Sequence, residues 1–301
     1  MTPQGPHGIV VVDKPEGPTS HGVVARARKA WGTRRVGHAG TLDPAATGVL
    51  VLGLGSATRL LGHLSGQGKE YVATIALGVS TTTDDAAGDI LRAPGAALTA
   101  AQVEHAMRPW HGTVRQRPSA VSAVHVDGRR AHELVRAGEK VALPEREVSI
   151  DAFDLQDLRL GDLAGVPVTI ADVRVACSAG TYVRALARDI GESLGVGGHV
   201  LTLRRTRSGA LTLDDACDVE AVGSVPLIPA GVVARRSLPW VDVPDGEVRS
   251  ILHGVQVPWP AGAPRDGTVA FLHGDDLLAL AERRGDLAAY SAVFPPSTTG
   301  D

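Results

Sequence analysis

Hydrophobic and polar positions follow two different periods along this chain, and those periods predict both strands and helices. Gly8 to Asp13 (GIVVVD) is a run of mostly β-branched residues that Lys14-Pro15 closes, which predicts a buried strand. Thr19 can then cap a helix, because apolar residues recur at helical spacing from Val23 to Trp31. We expect that helix to end at Gly32.

The same two periods divide the rest of the chain. Strands are predicted at 48–54, 70–79, 112–117, 121–126, 148–155, 168–177 and 199–207. Helices are predicted at 57–64, 99–107, 129–137 and 181–194, and loops at 36–47 and 80–89. Strands outnumber helices and do not alternate strictly with them. This order favours an α+β fold with a mixed sheet over a parallel, doubly wound sheet.

A domain boundary is expected near Ser237 to Pro244, where prolines cluster and the charge becomes acidic. We predict a first domain at 1–238, with an insertion at about 122–147. A small β-rich domain is expected at 239–296, followed by a polar tail at 297–301.

Composition excludes several classes of protein. The chain is 44% hydrophobic and 21% charged, which is ordinary for a globular protein. Its two cysteines form neither a disulfide framework nor a zinc site. Residues 1–7 lack the features of a secretory signal, and the longest apolar stretch, 49–54, is too short to span a bilayer. We therefore expect a cytoplasmic protein with no membrane contact.

The net charge of −3 hides a local excess of positive charge. Residues 1–70 contain eight Lys or Arg and four Asp or Glu, whereas the chain from 238 onward contains four and nine. Basic clusters occur at 26–35, 129–136 and 204–207. A face that binds phosphates needs local positive charge only, although such runs are often just solvated surface.

Few motifs for chemistry are present, and the loop at 37–44 (GHAGTLDP) is the remaining candidate. Gly53-x-Gly55 lacks the third glycine of a dinucleotide fingerprint, since position 58 is Thr58. The histidines have no spacing typical of a metal site, so no metal is expected. Asp43 in the loop is either a nucleophile or an ordinary turn residue before proline, and the residues alone leave both interpretations open.

The segment at 37–48 (GHAGTLDPAATG) closely resembles the signature loop of the bacterial TruB family of pseudouridine synthases. The resemblance extends, in family order, to blocks at 8–20, 69–71, 117–138, 177–184 and 203–207. It implies an α+β catalytic domain around a mixed sheet and a PUA-like C-terminal domain. It also implies isomerisation of uridine 55 in the T loop of tRNA, with no cofactor and no protein partner, by a monomer.

The resemblance also implies roles for individual residues. Asp43 matches the catalytic aspartate of the family, and Arg184 would pair with it. His38 would fill the stack that the flipped uridine leaves. Tyr71 would stack on the flipped base, and Tyr182 would line the sugar side.

Further roles follow for basic residues. Lys14 sits where the family has a lysine and would support the cleft. The candidates for RNA contact are Arg129, Arg130, Arg136, Arg204 and Arg205.

A second hypothesis for the function is a tRNA-folding chaperone whose catalysis is secondary, and a third is a guide-RNA-dependent relative of the archaeal and eukaryotic type. The intact set of Asp43, Tyr71 and Arg184 favours the enzyme.

Overall fold

The computed structural model describes residues 5–119 and 143–295, together with the backbone of 125–126 and 129–130. The chain divides into two compact units. The first comprises Met1–Gly66 and Arg207–Asp301, and the second comprises Gln67–Thr206.

The first unit contains a small mixed sheet and a helix that packs beside it. Its first segment forms β1 (Gly8–Lys14), α1 (Ser20–Ala30), β2 (Val36–His38), β3 (Thr47–Leu54), a 3-10 helix (Gly55–Leu60) and α2 (Leu61–Ser65). Later come β13 (Leu211–Thr212) and β14 (Ala216–Asp218), each followed by a 3-10 turn, Leu213–Asp215 and Val219–Ala221. Strand β1 is antiparallel to β3 and parallel to β14.

The hydrophobic pattern accounts for β1 and α1. Both faces of β1 are covered, since Ile9 and Val12 are each 0% exposed. Thr19 caps α1 by accepting a hydrogen bond from the Gly22 amide at 2.9 Å, as the sequence predicts. Val23 and Ala27, one turn apart, are buried.

The C-terminal part of the first unit is a four-stranded sheet with helices beside it. Its elements are α5 (Ala230–Ser237), β15 (Trp240–Asp242), α6 (Asp245–Leu252), β16 (Val269–His273), β17 (Asp276–Arg284) and β18 (Leu287–Val293). The strand order is β15-β16-β17-β18. Leu272 and Phe294 join one core with Ile9 and Val51, so this sheet shares its packing with β1 and β3.

Helix α6 lies in the segment 239–296, for which the sequence predicts a small β-rich domain and no helix. The helix follows Pro244 and carries Asp245 and Glu247 in its first turn, where negative charge suits the helix dipole. Ile251 is buried, and Leu252 packs against the same core. Eight residues offer too few turns for the helical period to stand out.

The second unit contains a largely antiparallel sheet and two helices that pack against it. Its elements begin with β4 (Lys69–Leu77), β5 (Ser80–Thr81), β6 (Ile90–Arg92), α3 (Ala100–Met107), a 3-10 turn (Arg108–Trp110) and β7 (Gly112–Gln116). They continue with β8 (His125–Val126), β9 (Arg129–Arg130), β10 (Arg146–Leu163), β11 (Val166–Cys177), α4 (Val183–Ser193) and β12 (Gly198–Ser208). The order is β12-β4-β11-β10-β7.

One core holds the second unit together. Leu186 and Ile190 of α4 and Val103 of α3 pack there against Ile75 and Val173 of the sheet. A mixed sheet in one part of the chain and a separate small β sheet at its C-terminal end confirm the predicted fold class.

Two local predictions were wrong. Residues 36–38, predicted as loop, form β2, in which Val36 pairs with Leu54 and His38 with Leu52. Two glycines near this strand mask its period. Arg129–Arg130, predicted as helix, pairs with His125–Val126 as a short hairpin. The rest of that predicted helix, and of the predicted strand at 121–126, lies outside the described residues.

The structure also bears on membrane and metal binding. Among the described residues, no helix is long and apolar enough to cross a membrane. The same residues hold no group of three or more His, Cys, Asp or Glu side chains that could ligate a metal ion.

The turn between β10 and β11 provides a prediction about stability. Leu163 pairs with Val166, and the two residues between them have positive φ, 54° for Ala164 and 84° for Gly165. This geometry is that of a type I′ turn, which favours Asn-Gly. Ala164→Asn is expected to raise the free energy of unfolding by roughly 0.5–1 kcal/mol, measured by urea titration. Ala164→Val should lower it, and the opposite order would contradict this reading of the turn.

Candidate active site

The loop that carries Asp43 begins where β2 ends, and backbone hydrogen bonds hold it at both ends. The Ala39 amide donates to the Val51 carbonyl at 2.9 Å, which attaches the loop to β3. The Ala46 amide donates to the Asp43 carbonyl at 3.1 Å and closes a turn around Pro44. The side chain of Asp43 is half-buried.

Ser20, the first residue of α1, fastens the position just before Asp43. Its hydroxyl accepts a hydrogen bond from the Leu42 amide at 2.9 Å and donates to the Leu42 carbonyl at 3.0 Å. Ser20 is 1% exposed and Leu42 is 4% exposed, so water does not compete for either bond. The helix and the loop are therefore joined at the residue that precedes the candidate nucleophile.

Lys14, at the end of β1, fastens the position just after Asp43. It is 0% exposed, and its ammonium donates to the carbonyls of Pro15 at 2.8 Å and Pro44 at 3.1 Å. Burial lowers the pKa of Lys14, and the nearby carboxylates of Asp43 and Glu16 oppose that shift. The predicted supporting role of Lys14 thus has a physical basis, a buried cation beside the Asp43 carboxylate.

His38 lies at the other end of the loop and contacts α1. Its ring meets the ring of His21 edge to face, with centroids 5.2 Å apart. His38 is half-buried. This packing fixes the ring beside the loop, and its role in base flipping stays a prediction.

Tyr71 and Tyr182 belong to the second unit. Tyr71 lies on β4 opposite Val175 of β11, half-buried against the core of that unit. Tyr182 precedes α4, and its backbone is held on both sides by the buried amide of Gln116, at 2.8 and 3.0 Å. The guanidinium of Arg146 lies 5.5 Å from the centroid of the Tyr182 ring.

Arg184, one residue into α4, has a carboxylate partner that the sequence analysis did not find. Its Nη1 donates to Asp85 Oδ2 at 3.0 Å and to the Thr83 carbonyl at 2.9 Å, and Arg184 is 7% exposed. Asp85 is itself fixed, since its Oδ1 accepts from the Thr83 hydroxyl at 2.5 Å and the Ala87 amide at 3.0 Å. The predicted pairing of Arg184 with Asp43 stays a prediction.

A second arginine of α4 was also missed by the sequence analysis. Arg188, one turn after Arg184, donates to Asp189 Oδ1 at 2.7 Å, to Asp84 Oδ2 at 3.3 Å and to the Arg117 carbonyl at 2.8 Å. Asp84 sits at a φ of 59°, unusual for a residue other than glycine. Burial raises the pKa of Asp84, against the effect of Arg188 and Arg184. The only signal in the sequence for the carboxylate partners of Arg184 and Arg188 was the acidic pair Asp84-Asp85 in a polar loop.

The raised pKa of Asp189 makes stability depend on pH. Burial raises it to about 6, against the attraction of Arg188. The folded state therefore binds this proton more tightly than the unfolded state, and stability is lost as the pH rises from about 4 through about 6. Lowering the pH from about 7.5 to about 5 should raise the unfolding free energy of the wild type, relative to Asp189→Asn, by about 1 kcal/mol. Urea titrations of both proteins at each pH measure this, and a constant difference would contradict it.

The five arginines predicted to contact RNA differ in how far the structure describes them and in how exposed they are. Arg136 lies outside the described residues, and only the backbone is described for Arg129 and Arg130. Arg204 is half-buried. Arg205 is 1% exposed, and its contact with RNA stays a prediction.

The two adjacent arginines of strand β12 differ in burial, because consecutive side chains of a strand point to opposite faces. Burial, together with the nearby charge of Arg205, lowers the pKa of Lys69 to about 8. Arg205 is thus a buried cation close enough to Lys69 to affect its pKa.

Comparison with known proteins places this geometry in a family. The model of the TruB family pseudouridylate synthase N-terminal domain matches residues 28–183. The model of the tRNA pseudouridylate synthase B C-terminal domain matches residues 184–227.

Full-length relatives and solved structures agree. A tRNA pseudouridine synthase B of Thermobifida fusca is 47% identical over 96% of this chain and 99% of its own. One of Corynebacterium diphtheriae is 43% identical over 97% of both. An H/ACA RNP bound to a substrate RNA containing 2′-deoxyuridine includes a chain that is 26% identical, with a TM-score of 0.72 over 96% of this chain and 85% of that one. A chain of a Cbf5-Nop10-Gar1 complex is 28% identical, with a TM-score of 0.70 over the same shares.

These matches span nearly the whole chain, and the first family model includes the loop around Asp43. The resemblance drawn from the sequence is thereby confirmed. The chain belongs to the TruB family of pseudouridine synthases.

Proposed function

We propose that this enzyme converts uridine 55 in the T loop of tRNA into pseudouridine, with Asp43 as the nucleophile. Membership of the family makes the chain a tRNA pseudouridine synthase, an isomerase. The observation that carries the finer proposal is the way Asp43 is held. Ser20 fastens the residue before it, and Lys14 fastens the residue after it.

The reaction needs a positioned carboxylate and no change of oxidation state. The bond from N1 of uracil to C1′ breaks, the base turns, and C5 bonds to C1′. The hydrogen of C5 leaves as a proton, and N1 gains one. Asp43 would attack either the sugar C1′ or the base, and in both cases a fixed, ionised side chain is required. The buried ammonium of Lys14 lies near this carboxylate.

The other side chains have roles that follow from the need to extrude the uridine. A base inside a folded loop is reached only after flipping. We propose that His38 fills the vacated stack and that Tyr71 stacks on the flipped base, a contact worth about 1–3 kcal/mol. Tyr182 would line the sugar, and Arg184 would pair with Asp43.

RNA recognition and assembly complete the proposal. The segment at about 122–147 would grip the T arm, mainly by its shape. The first domain would span 1–238, and the C-terminal sheet would act as a PUA-like domain at 239–296. The chain would act as a monomer without a protein partner, unlike the solved complexes named above.

A release assay tests the reaction class. Transcribed tRNA labelled with tritium at C5 of uridine loses its label only when C5 forms the new bond. We expect about one tritium released per tRNA with wild-type protein. Release of none, with the tRNA still bound, would instead favour the folding-chaperone hypothesis.

A further inference from the structure

The exposed side of α1 and the turn after it carries positive charges that the proposed reaction does not use. We define the α1 basic surface as Arg26, Lys29, Arg34 and Arg35, all of them exposed. The sequence from Gly17 to Leu42 contains no aspartate or glutamate. Within the described part of the chain, none of the four side chains pairs with a carboxylate. The surface therefore keeps its full positive charge.

Several other arginines in the described part of the chain are paired with carboxylates. Examples are Arg159 with Asp172, Arg174 with Glu70, Arg236 with Asp215 and Arg283 with Asp286. Solubility does not explain an unpaired cluster in a chain whose net charge is −3. A local field of this kind attracts a polyanion.

The α1 basic surface belongs to the same rigid segment as Asp43. The first turn of α1 holds the loop through Ser20, as described above. Farther along, Arg28 donates to the Val36 carbonyl at 3.0 Å and ties α1 to β2. A polymer that presents one uridine to Asp43 continues on both sides of it, so its backbone comes close to elements packed against this loop.

A groove beside α1 adds a contact for sugars. It has a volume of about 560 Å³ and is lined by Pro15, Pro18, Arg26, Lys29, Val219 and Glu220, among others. Arg26 donates to the Glu220 backbone carbonyl at 3.4 Å, which holds its guanidinium at the wall. The lining residues include two cations, Arg26 and Lys29, and one carboxylate, Glu220. The proline rings offer an apolar surface for a ribose, and the cations beside them offer charge for its phosphate.

We propose that the α1 basic surface and this groove bind the sugar–phosphate backbone of the RNA outside the nucleotide that is modified. The identity of that RNA as tRNA rests on the proposed function. Contacts of this kind position RNA without reading its sequence. They supply affinity, and they do not touch the reacting atoms.

The test compares two double variants that remove the same charge. Arg26→Gln/Lys29→Gln takes it from the α1 basic surface and leaves Arg28 to hold the loop. Arg159→Gln/Arg283→Gln takes it from arginines that are paired with carboxylates. The first variant should weaken binding of unmodified tRNA roughly tenfold and reduce the slope of log Kd against log salt by roughly 1.5. The control should stay within about twofold.

Three further readouts make the result decisive. Arg26→Lys/Lys29→Arg should retain wild-type affinity, and all variants should keep the wild-type Tm. With protein saturating, the single-turnover rate should be unchanged by the first variant. Equal losses in the first variant and the control would overturn the proposal. Wild-type protein that binds tRNA through this surface but forms no product would instead overturn the proposed function alone.

Discussion

Asp43→Asn is expected to lower the single-turnover rate of pseudouridine formation by at least about 10⁴-fold, because an amide is not a nucleophile for this step. The affinity for tRNA should change by less than about threefold, since binding is spread over many phosphate contacts. Rapid quenching of labelled tRNA measures the rate, and filter binding measures the affinity.

Asp218→Asn is the matched control, because it removes an exposed carboxylate from β14 in the same unit. It should leave the rate unchanged. Activity of Asp43→Asn above about a hundredth of the wild type would remove Asp43 from the role of nucleophile.

Lys14→Met is expected to have the second largest effect, a loss of about 100-fold in rate. The variant removes the donor to the carbonyls of Pro15 and Pro44 and the buried cation beside Asp43. The free energy of unfolding should fall by about 1–3 kcal/mol, because two backbone carbonyls lose a charged donor. Lys14→Arg should not restore the rate, since a side chain that is 0% exposed leaves no room for a guanidinium.

The temperature of the assay distinguishes an effect of Lys14→Met on the catalytic rate from its effect on stability. The rate is measured at least about 15 °C below the Tm of the variant, where the protein stays folded. Ser20→Ala serves as a comparison, because it loosens the loop at Leu42 and leaves the charge of Lys14 in place. A folded Lys14→Met protein with the wild-type rate would show that the lysine neither positions nor stabilises Asp43.

Elements with a strong local pattern could be predicted from the sequence. The run GIVVVD is covered on both faces as β1, and Thr19 caps α1 as expected. The helix at 100–107 likewise begins with a capping box between Thr99 and Gln102. These elements depend on hydrogen bonds and burial patterns among residues that are close together in the sequence.

Contacts between distant residues were the part that sequence could not supply. Nothing near Lys14 indicates that its ammonium meets the carbonyl of a residue thirty positions later. The partner of Arg184, Asp85, is ninety-nine positions away. Sheet pairing and helix packing bring such groups together, and that arrangement depends on the whole chain.

The sequence also could not predict which of two adjacent arginines would be buried. Arg204 and Arg205 form one basic run in the sequence, yet Arg205 is buried beside Lys69. The register of β12 decides which of them faces the core, and a shift by one position would exchange them. Charge in the sequence alone therefore does not show which of two adjacent arginines is buried.

The most direct test of the account maps the product. Purified wild-type protein is incubated with unmodified tRNA transcript, without added nucleotide or metal, and pseudouridine is located by a base-specific chemical method. The account predicts a single new pseudouridine at position 55 of the T loop. A product elsewhere in the tRNA, or no product from protein that binds it, would contradict the assignment of this chain as the enzyme that modifies that uridine.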